Sequence, residues 1–308
     1  MKGVFIMKSV EFKNYRNNIV LAGNVYFPDN FSEDKKYPAI VITHPGGGVK
    51  EQTAGTYADR LSKLGFVTLA FDASHQGESG GEPHFVDDPF ARVEDISVAA
   101  DYMLNLPYVD EDKLGLLGIC AGGGHAVNAA CGDHRFRAVA TISAMDVGTA
   151  FRAGLTPENV DEMLLASAKE RTKEARGEEG ALMTYIPDTK EAAEASGSVM
   201  LLEAYDYYKT ERGFYKTAQN KLTLSSAMNL YRYNAFEPVS LLLTQPLLMI
   251  AGSDAETRAF SENGVALSNG PKELFLVEGA THVALYDIEK YVSQVVDKLE
   301  EFYKNNLV

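Results

Sequence analysis

Gly118-Ile119-Cys120-Ala121-Gly122-Gly123-Gly124 is the stretch that decides the fold. An apolar run, 114–117, leads into it and reads as a buried strand; a small-residue run, 122–130, leads out of it and reads as a helix. Strand, tight glycine-flanked turn and helix make the setting of a nucleophile elbow, which lifts one reactive side chain above a parallel sheet. The usual pattern is G-x-S-x-G, and here Cys120 takes the middle place. Gly118 and Gly122 have a steric reason to be there, because the helix must pass close to the strand. A thiol at a helix N-terminus also meets a dipole and free N–H groups that favour the thiolate. The plainer reading of the same residues is a glycine-rich turn around a buried cysteine.

The flanking sequence extends the pattern. Residues 8–27 read as two antiparallel strands, with Val10 and Phe12 alternating with polar neighbours and Asn17-Asn18 supplying the turn. Continuous apolar runs at 37–43, 66–71, 114–119, 138–143, 247–251 and 274–277 read as buried strands of a parallel sheet. Between them, Ala54, Tyr57, Ala58, Leu61 and Leu64, then Phe90, Val93, Ile96, Ala100 and Met103, recur at helical spacing. The chain closes on an amphipathic helix carrying Ile288, Tyr291, Val292, Val295, Leu299 and Phe302. Alternating strands and helices imply right-handed βαβ units and a mostly parallel sheet of eight strands flanked by helices. The alternation stops near residue 148 and resumes near 246. The charged, helix-rich stretch between them holds Tyr205, Tyr207, Tyr208, Phe214 and Tyr215 and reads as an inserted helical cap. The expected organisation is therefore a core of 1–147 and 246–308 with a cap of 148–245.

Three reactive side chains fall at strand ends in the order Cys120, Asp254, His282, the chain order of an α/β-hydrolase triad. A thiol is mostly protonated at neutral pH, and His282 is the expected base that takes its proton and returns it to the leaving group. Asp254 is the expected acid that holds the imidazole tautomer, with Glu256 the near alternative and a helix cap the competing role for Ser253-Asp254. The oxyanion donors are expected to be the N–H of Ala121 and one N–H from the loop His44-Pro45-Gly46-Gly47-Gly48, that of Gly46 or Gly47. His44 reads as a residue that orients that loop. His75 and Glu78 read either as substrate contacts or as braces of their own loop; Tyr207 and Tyr208, either as substrate contacts or as cap core. His125 reads as packed beneath the elbow, and Cys131 as an inert buried thiol.

These motifs resemble those of the α/β-hydrolases, with the elbow cysteine found in dienelactone hydrolases. The likeness is closer to the polyketide transferase-like group of hydrolases. It is carried by His44-Pro45-Gly46-Gly47-Gly48-Val49-Lys50-Glu51-Gln52, by the loop Phe71-Asp72-Ala73-Ser74-His75-Gln76-Gly77-Glu78-Ser79-Gly80, by the elbow, and by Tyr207-Tyr208-Lys209-Thr210-Glu211-Arg212-Gly213. The resemblance spans nearly the whole chain. It implies the α/β-hydrolase fold and a Cys–Asp–His acyl-transfer site, and leaves the substrate open. The expected activity is hydrolysis of a small-molecule ester, lactone or thioester through an acyl-cysteine, with acyl transfer to an alcohol, amine or thiol as the alternative and a ligand-binding or redox-sensing role behind both.

Composition narrows the classes further. Among 308 residues, 29 basic against 43 acidic side chains give a formal charge of −14, which disfavours nucleic-acid and anionic-membrane partners. Two cysteines form neither a disulfide framework nor a metal cluster, and no histidine set has zinc-ligand spacing, so neither metal nor cofactor is expected. The apolar patch Met1-Lys2-Gly3-Val4-Phe5-Ile6 is too short for a signal peptide, and Met7 offers a second start. No run approaches the roughly 20 apolar residues of a bilayer span. The expectation is a cytoplasmic protein acting on a small acyl substrate, with self-association into a homo-oligomer left open.

Overall fold

The structure, a computed structural model, describes residues 7–308; the apolar patch at 1–6 lies outside the described residues. Strands β1 (Met7–Lys13) and β2 (Val20–Tyr26) form the expected hairpin. They are followed by β3 (Tyr37–Thr43), β4 (Val67–Phe71), β5 (Val109–Ile119) and β6 (Phe136–Ile142). A two-stranded antiparallel ribbon, β7 (Leu182–Thr184) with β8 (Lys221–Thr223), lies in the long insertion, and β9 (Leu247–Gly252) and β10 (Lys272–Val277) complete the main sheet. The main sheet has eight strands in the order β1-β2-β4-β3-β5-β6-β9-β10, antiparallel at β1-β2 and β2-β4 and parallel elsewhere.

The parallel strands are apolar on both sides because both faces are covered. On one face Val41, Leu69, Leu116, Val139 and Met249 pack beneath the helices Pro89–Leu104 and Ala121–Gly132. On the other, Ile40, Ile42, Leu117, Ala140 and Ile250 meet Thr53–Ser62 and Glu289–Leu307. Residues i and i+1 of a strand thus serve opposite cores. Strand β5 starts earlier than its apolar run, with a register shift against β6 at Leu114/Gly115. The helix Pro89–Leu104 starts on Pro89 with the Asp88 carboxylate accepting from the Phe90 N–H, a standard N-terminal arrangement.

Between β6 and β9 the chain leaves the sheet and forms helices that include Val160–Ala175, Val199–Lys209 and Ala227–Arg232. This inserted segment is tied down by polar contacts to loops of the sheet. Arg212 donates through Nε and Nη2 to Asp287 at 2.8 and 2.6 Å, Gln52 donates to the Gly213 carbonyl at 2.6 Å, and Asn220 donates to the Gly47 carbonyl at 2.9 Å.

The turn from β5 into the next helix tolerates no extra atom. A Cβ on Gly118 would stand 2.3 Å from the Gly122 carbonyl oxygen, and one on Gly122 would stand 2.6 Å from the carbonyl oxygens of Thr43 and His44. Gly132, at the far end of the same helix, has open space around it. Urea unfolding is therefore expected to show Gly118→Ala destabilised by about 2–3 kcal/mol, while Gly132→Ala stays within about 0.5 kcal/mol of the parent.

Candidate active site

Cys120 closes β5 in a left-handed backbone conformation, φ +55° and ψ −120°. A non-glycine residue is held there only by its surroundings. Its N–H donates to Ile142 O at 2.9 Å, and its carbonyl accepts from Gly123 N–H and Met145 N–H, each at 2.9 Å. The side chain is thereby pushed out above the sheet, with its sulfur 3.6 Å from Met145 Sδ. The N–H groups of Ala121 and Gly46 face the sulfur, as does the Tyr286 hydroxyl. Two backbone donors thus reach the sulfur, one from the elbow and one from the 44–48 loop. Gly47 is not one of them. At φ +66° it packs against Asn220, which takes up its carbonyl.

The loop that carries Gly46 is braced from below. His44 is buried and neutral, its Nδ1 2.7 Å from Pro45 O and its Nε2 accepting from Ala73 N–H at 3.1 Å. Burial and the Arg92 guanidinium hold its pKa well below the usual imidazole range. Arg92 in turn donates to the His44 carbonyl at 2.7 Å. Lys50 is buried with Asp72 at 2.9 Å and reaches Glu78 at 2.7 Å. Burial works against its ammonium, but Asp72, Glu51 and Glu78 outweigh it and push the Lys50 pKa up.

His282 follows β10 and lines the same cavity as Cys120. Its Nδ1 lies 2.5 Å from Thr257 Oγ1 and its Nε2 lies 3.0 Å from the Tyr286 hydroxyl. The carboxylates expected at this histidine are elsewhere. Asp254 is exposed and accepts from Ser253 Oγ at 3.0 Å. Glu256 caps the helix Val199–Lys209, accepting from Ser198 Oγ at 2.7 Å and Met200 N–H at 2.8 Å. Thr257 therefore occupies the place assigned to Asp254. Burial pushes His282 down to about 4, against a weak upward pull from the Glu256 charge. Burial also pushes the Cys120 thiol up, outweighing the Tyr286 hydroxyl and the two N–H groups. The thiolate favoured by the dipole argument is thus replaced by a neutral thiol beside a neutral imidazole.

The cavity over Cys120 encloses about 370 Å³. Val147, Phe151, Met183, Ile186, Met200 and Leu201 are among the apolar residues of its wall, and among the described residues no Asp, Glu, Lys or Arg lines it. Of the aromatic candidates, Tyr208 lines it, and among the described residues its buried hydroxyl has no hydrogen-bonded partner. Tyr207 does not line it; it packs edge-on against Tyr208 and Tyr286, under the Arg212 guanidinium. His75 is also outside. Its backbone is left-handed and its Nδ1 is bound to Pro83 O at 2.9 Å, so it braces the 72–85 loop. Glu78 serves the same brace through Lys50. His125 is buried beneath the elbow beside Tyr233, and Cys131 is buried with its thiol pushed up to about 11. Two residues of the site escaped the sequence reading. Thr257 lies three positions past Asp254, and Tyr286 stands four past His282, a spacing that puts both on one face of a helical turn.

Burial of neutral His282 makes stability depend on acid. Its folded pKa lies below the unfolded value, so protons favour the unfolded chain. Stability is complete above about pH 6.5 and falls as pH drops toward 4, by about 3 kcal/mol from His282 alone at pH 4. Between pH 7.5 and 4.5, His282→Gln is expected to lose less of its urea midpoint than the parent loses.

The dienelactone hydrolase family profile matches residues 21–147. Over 304 residues the chain is 41% identical to the uncharacterized protein YcjY of Escherichia coli, covering 97% of this chain and 98% of that protein. The crystal structure of the hypothetical protein PA2218 of Pseudomonas aeruginosa superposes with a TM-score of 0.89 at 34% identity, covering 98% of this chain and 94% of that one. Two fungal relatives carry names that state an activity. Thiohydrolase aneE of Aspergillus aculeatus is 26% identical, over 80% of this chain and 79% of that protein. Acyltransferase drtE of Aspergillus calidoustus is 25% identical, over 97% and 96%. With this fold, this elbow and these relatives, the chain belongs to the dienelactone hydrolase family of α/β-hydrolases.

Proposed function

We propose that this α/β-hydrolase cleaves a small, uncharged ester, lactone or thioester through an acyl-Cys120 intermediate, with His282 as the base. The observation that carries the reading is the convergence of Cys120, the Ala121 and Gly46 N–H groups and His282 on one apolar cavity. When substrate enters, its carbonyl oxygen takes the two N–H donors that face the sulfur at rest. They stabilise the oxyanion in a water-poor site, where such donors act most strongly. The wall sets the substrate class. With no cationic side chain lining it, the cavity has nothing to compensate a buried carboxylate, so the acyl group is neutral and apolar. The name of the relative aneE agrees with thioester cleavage. The free thiols suit a reducing cytoplasmic setting, and no helix among the described residues is long and apolar enough to cross a membrane.

Acyl transfer is the second reading, favoured by the apolar wall and by the name of the relative drtE. A cavity that admits an acceptor and keeps water scarce hands the acyl group to that acceptor.

Intact-mass analysis with a panel of short acyl thioesters and p-nitrophenyl esters is expected to give a transient adduct that maps to Cys120. Cys120→Ala is expected to lower turnover at least about a thousandfold while leaving the melting temperature near the parent's. Turnover retained in Cys120→Ala overturns the reading. Added alcohols, amines or thiols that shift product from free acid to acylated acceptor select transfer over hydrolysis.

A further inference from the structure

Among the described residues no hydrogen bond joins Cys120 to His282, and Tyr286 lines the same cavity as both. Its hydroxyl lies 3.0 Å from His282 Nε2 and is near enough to Cys120 to act on the thiol. Behind His282 no carboxylate follows; the partner of Nδ1 is Thr257 Oγ1 at 2.5 Å. Tyr286, His282 and Thr257 are all buried. His282 and Tyr286 are four residues apart at the short helix Ala284–Asp287, so their relative placement is fixed by one turn of backbone. The Ser143 hydroxyl pins the His282 carbonyl at 3.0 Å, and the backbone carbonyls of Leu285 and Tyr286 accept from Tyr57 Oη and Thr53 Oγ1. The array is held from several sides.

We propose that Tyr286 is a catalytic residue that relays the proton between Cys120 and His282, and that Thr257 is the positioning residue that replaces a triad carboxylate. At rest His282 Nδ1–H donates to Thr257 Oγ1, which leaves Nε2 as the acceptor for the Tyr286 O–H. As sulfur attacks the acyl carbon, the S–H proton passes to the Tyr286 oxygen and the Tyr286 proton passes to Nε2. The C–S bond forms, the carbonyl π pair moves to oxygen, and the imidazolium keeps its bond to Thr257. On collapse the oxyanion pair re-forms the carbonyl and the bond to the leaving heteroatom breaks. Nε2 then returns its proton through Tyr286 to that heteroatom. Tyr286 starts and ends as a neutral phenol. Its burial, which pushes its pKa well up, keeps it so.

The relay applies to the acyl-Cys120 chemistry proposed above, but its first test does not need an acyl substrate. Alkylation of Cys120 by iodoacetamide near pH 7, followed by peptide mass mapping, reads loss of the thiol proton directly. Tyr286→Phe keeps the ring and removes the relay; it is expected to slow alkylation about a hundredfold, the scale of one acid–base group. Thr257→Val is expected to slow it as well, Thr257→Ser to restore it, and Asp254→Asn to leave it at the parental rate. With p-nitrophenyl butyrate, the parent's acylation rate is expected to bend with deuterium fraction as two protons in flight require, and that of Tyr286→Phe to be linear. Parental alkylation in Tyr286→Phe overturns the relay. A linear parental dependence overturns it even where that variant fails to fold. A loss in Asp254→Asn matching that of Thr257→Val overturns the role of Thr257. Normal alkylation effects with no acyl adduct on the parent would instead overturn the acyl-Cys120 reading and leave the relay standing.

Discussion

The close approach of the helix Ala121–Gly132 to β5 is the constraint from which the site follows. Glycines at 118 and 122 remove the atoms that would keep helix and strand apart, and the price in backbone entropy is met by the sheet on both sides. With the helix so near, Cys120 must turn through a left-handed conformation, and three hydrogen bonds hold it there. Because β5 lies between β3 and β6, the loop after β3 stands beside the elbow and brings Gly46 to the sulfur. The parallel run of β3, β5, β6, β9 and β10 puts all their C-terminal ends on one edge, so Thr257 and His282 arrive on the same side as the nucleophile. The chemistry at that edge is therefore a consequence of one tight crossing and of strand order.

Burial sets the protonation states at this edge. Removing a charge from water costs several kcal/mol, and no full counter-charge touches either reacting group. The thiol is pushed up and the imidazole down, so the pair is neutral before reaction. A thiolate–imidazolium pair would need two buried charges without a carboxylate behind the histidine. A neutral pair avoids that cost at rest. In the acyl-Cys120 chemistry proposed above, the Ala121 and Gly46 donors would meet the oxyanion and the Thr257 hydroxyl the imidazolium. The net charge of −14 plays no part here, since the acidic side chains are not in the cavity wall.

The sequence made the scaffold legible and the histidine's partners illegible, for different physical reasons. Apolar runs that must be buried on two faces are visible in one dimension, and the runs at 37–43, 66–71, 247–251 and 274–277 are strands or lie within a residue of one. The glycine pattern at 118–124 carries its own steric explanation, so the elbow could be placed to the residue. A carboxylate after a strand is ambiguous, because capping a helix and orienting a histidine use the same residue types at the same loop position. Asp254 stays in solvent and Glu256 caps Val199–Lys209, a helix more than forty residues earlier in the chain. The competing demand came from the inserted segment, whose docking no local pattern encodes. Thr257 and Tyr286 were passed over because neutral hydroxyls do not stand out in a sequence. His75 and Gly47 were drawn in by their loops, which do flank the site, although each is spent on holding its own turn.

The inserted segment does more than roof the cavity. Tyr207-Tyr208-Lys209-Thr210-Glu211-Arg212-Gly213 spans both the wall and the clamp. Tyr208 faces the cavity, Tyr207 fills the space between it and Tyr286, and Arg212 covers Tyr207 while gripping Asp287 with two hydrogen bonds. Asp287 is the next residue after Tyr286. Gly213 is required at the end of the run, since a Cβ there would stand 2.6 Å from the Tyr207 ring, and its carbonyl is held by Gln52. Gln52 also accepts from Val49 N–H in the loop that begins at His44. One chain of packed rings and charged hydrogen bonds therefore runs from the substrate wall to the hydroxyl beside the nucleophile and on to the loop that supplies an oxyanion donor. The cavity wall and the Tyr286 hydroxyl are thus held by one set of contacts, which ties this short run of the insertion to the elbow.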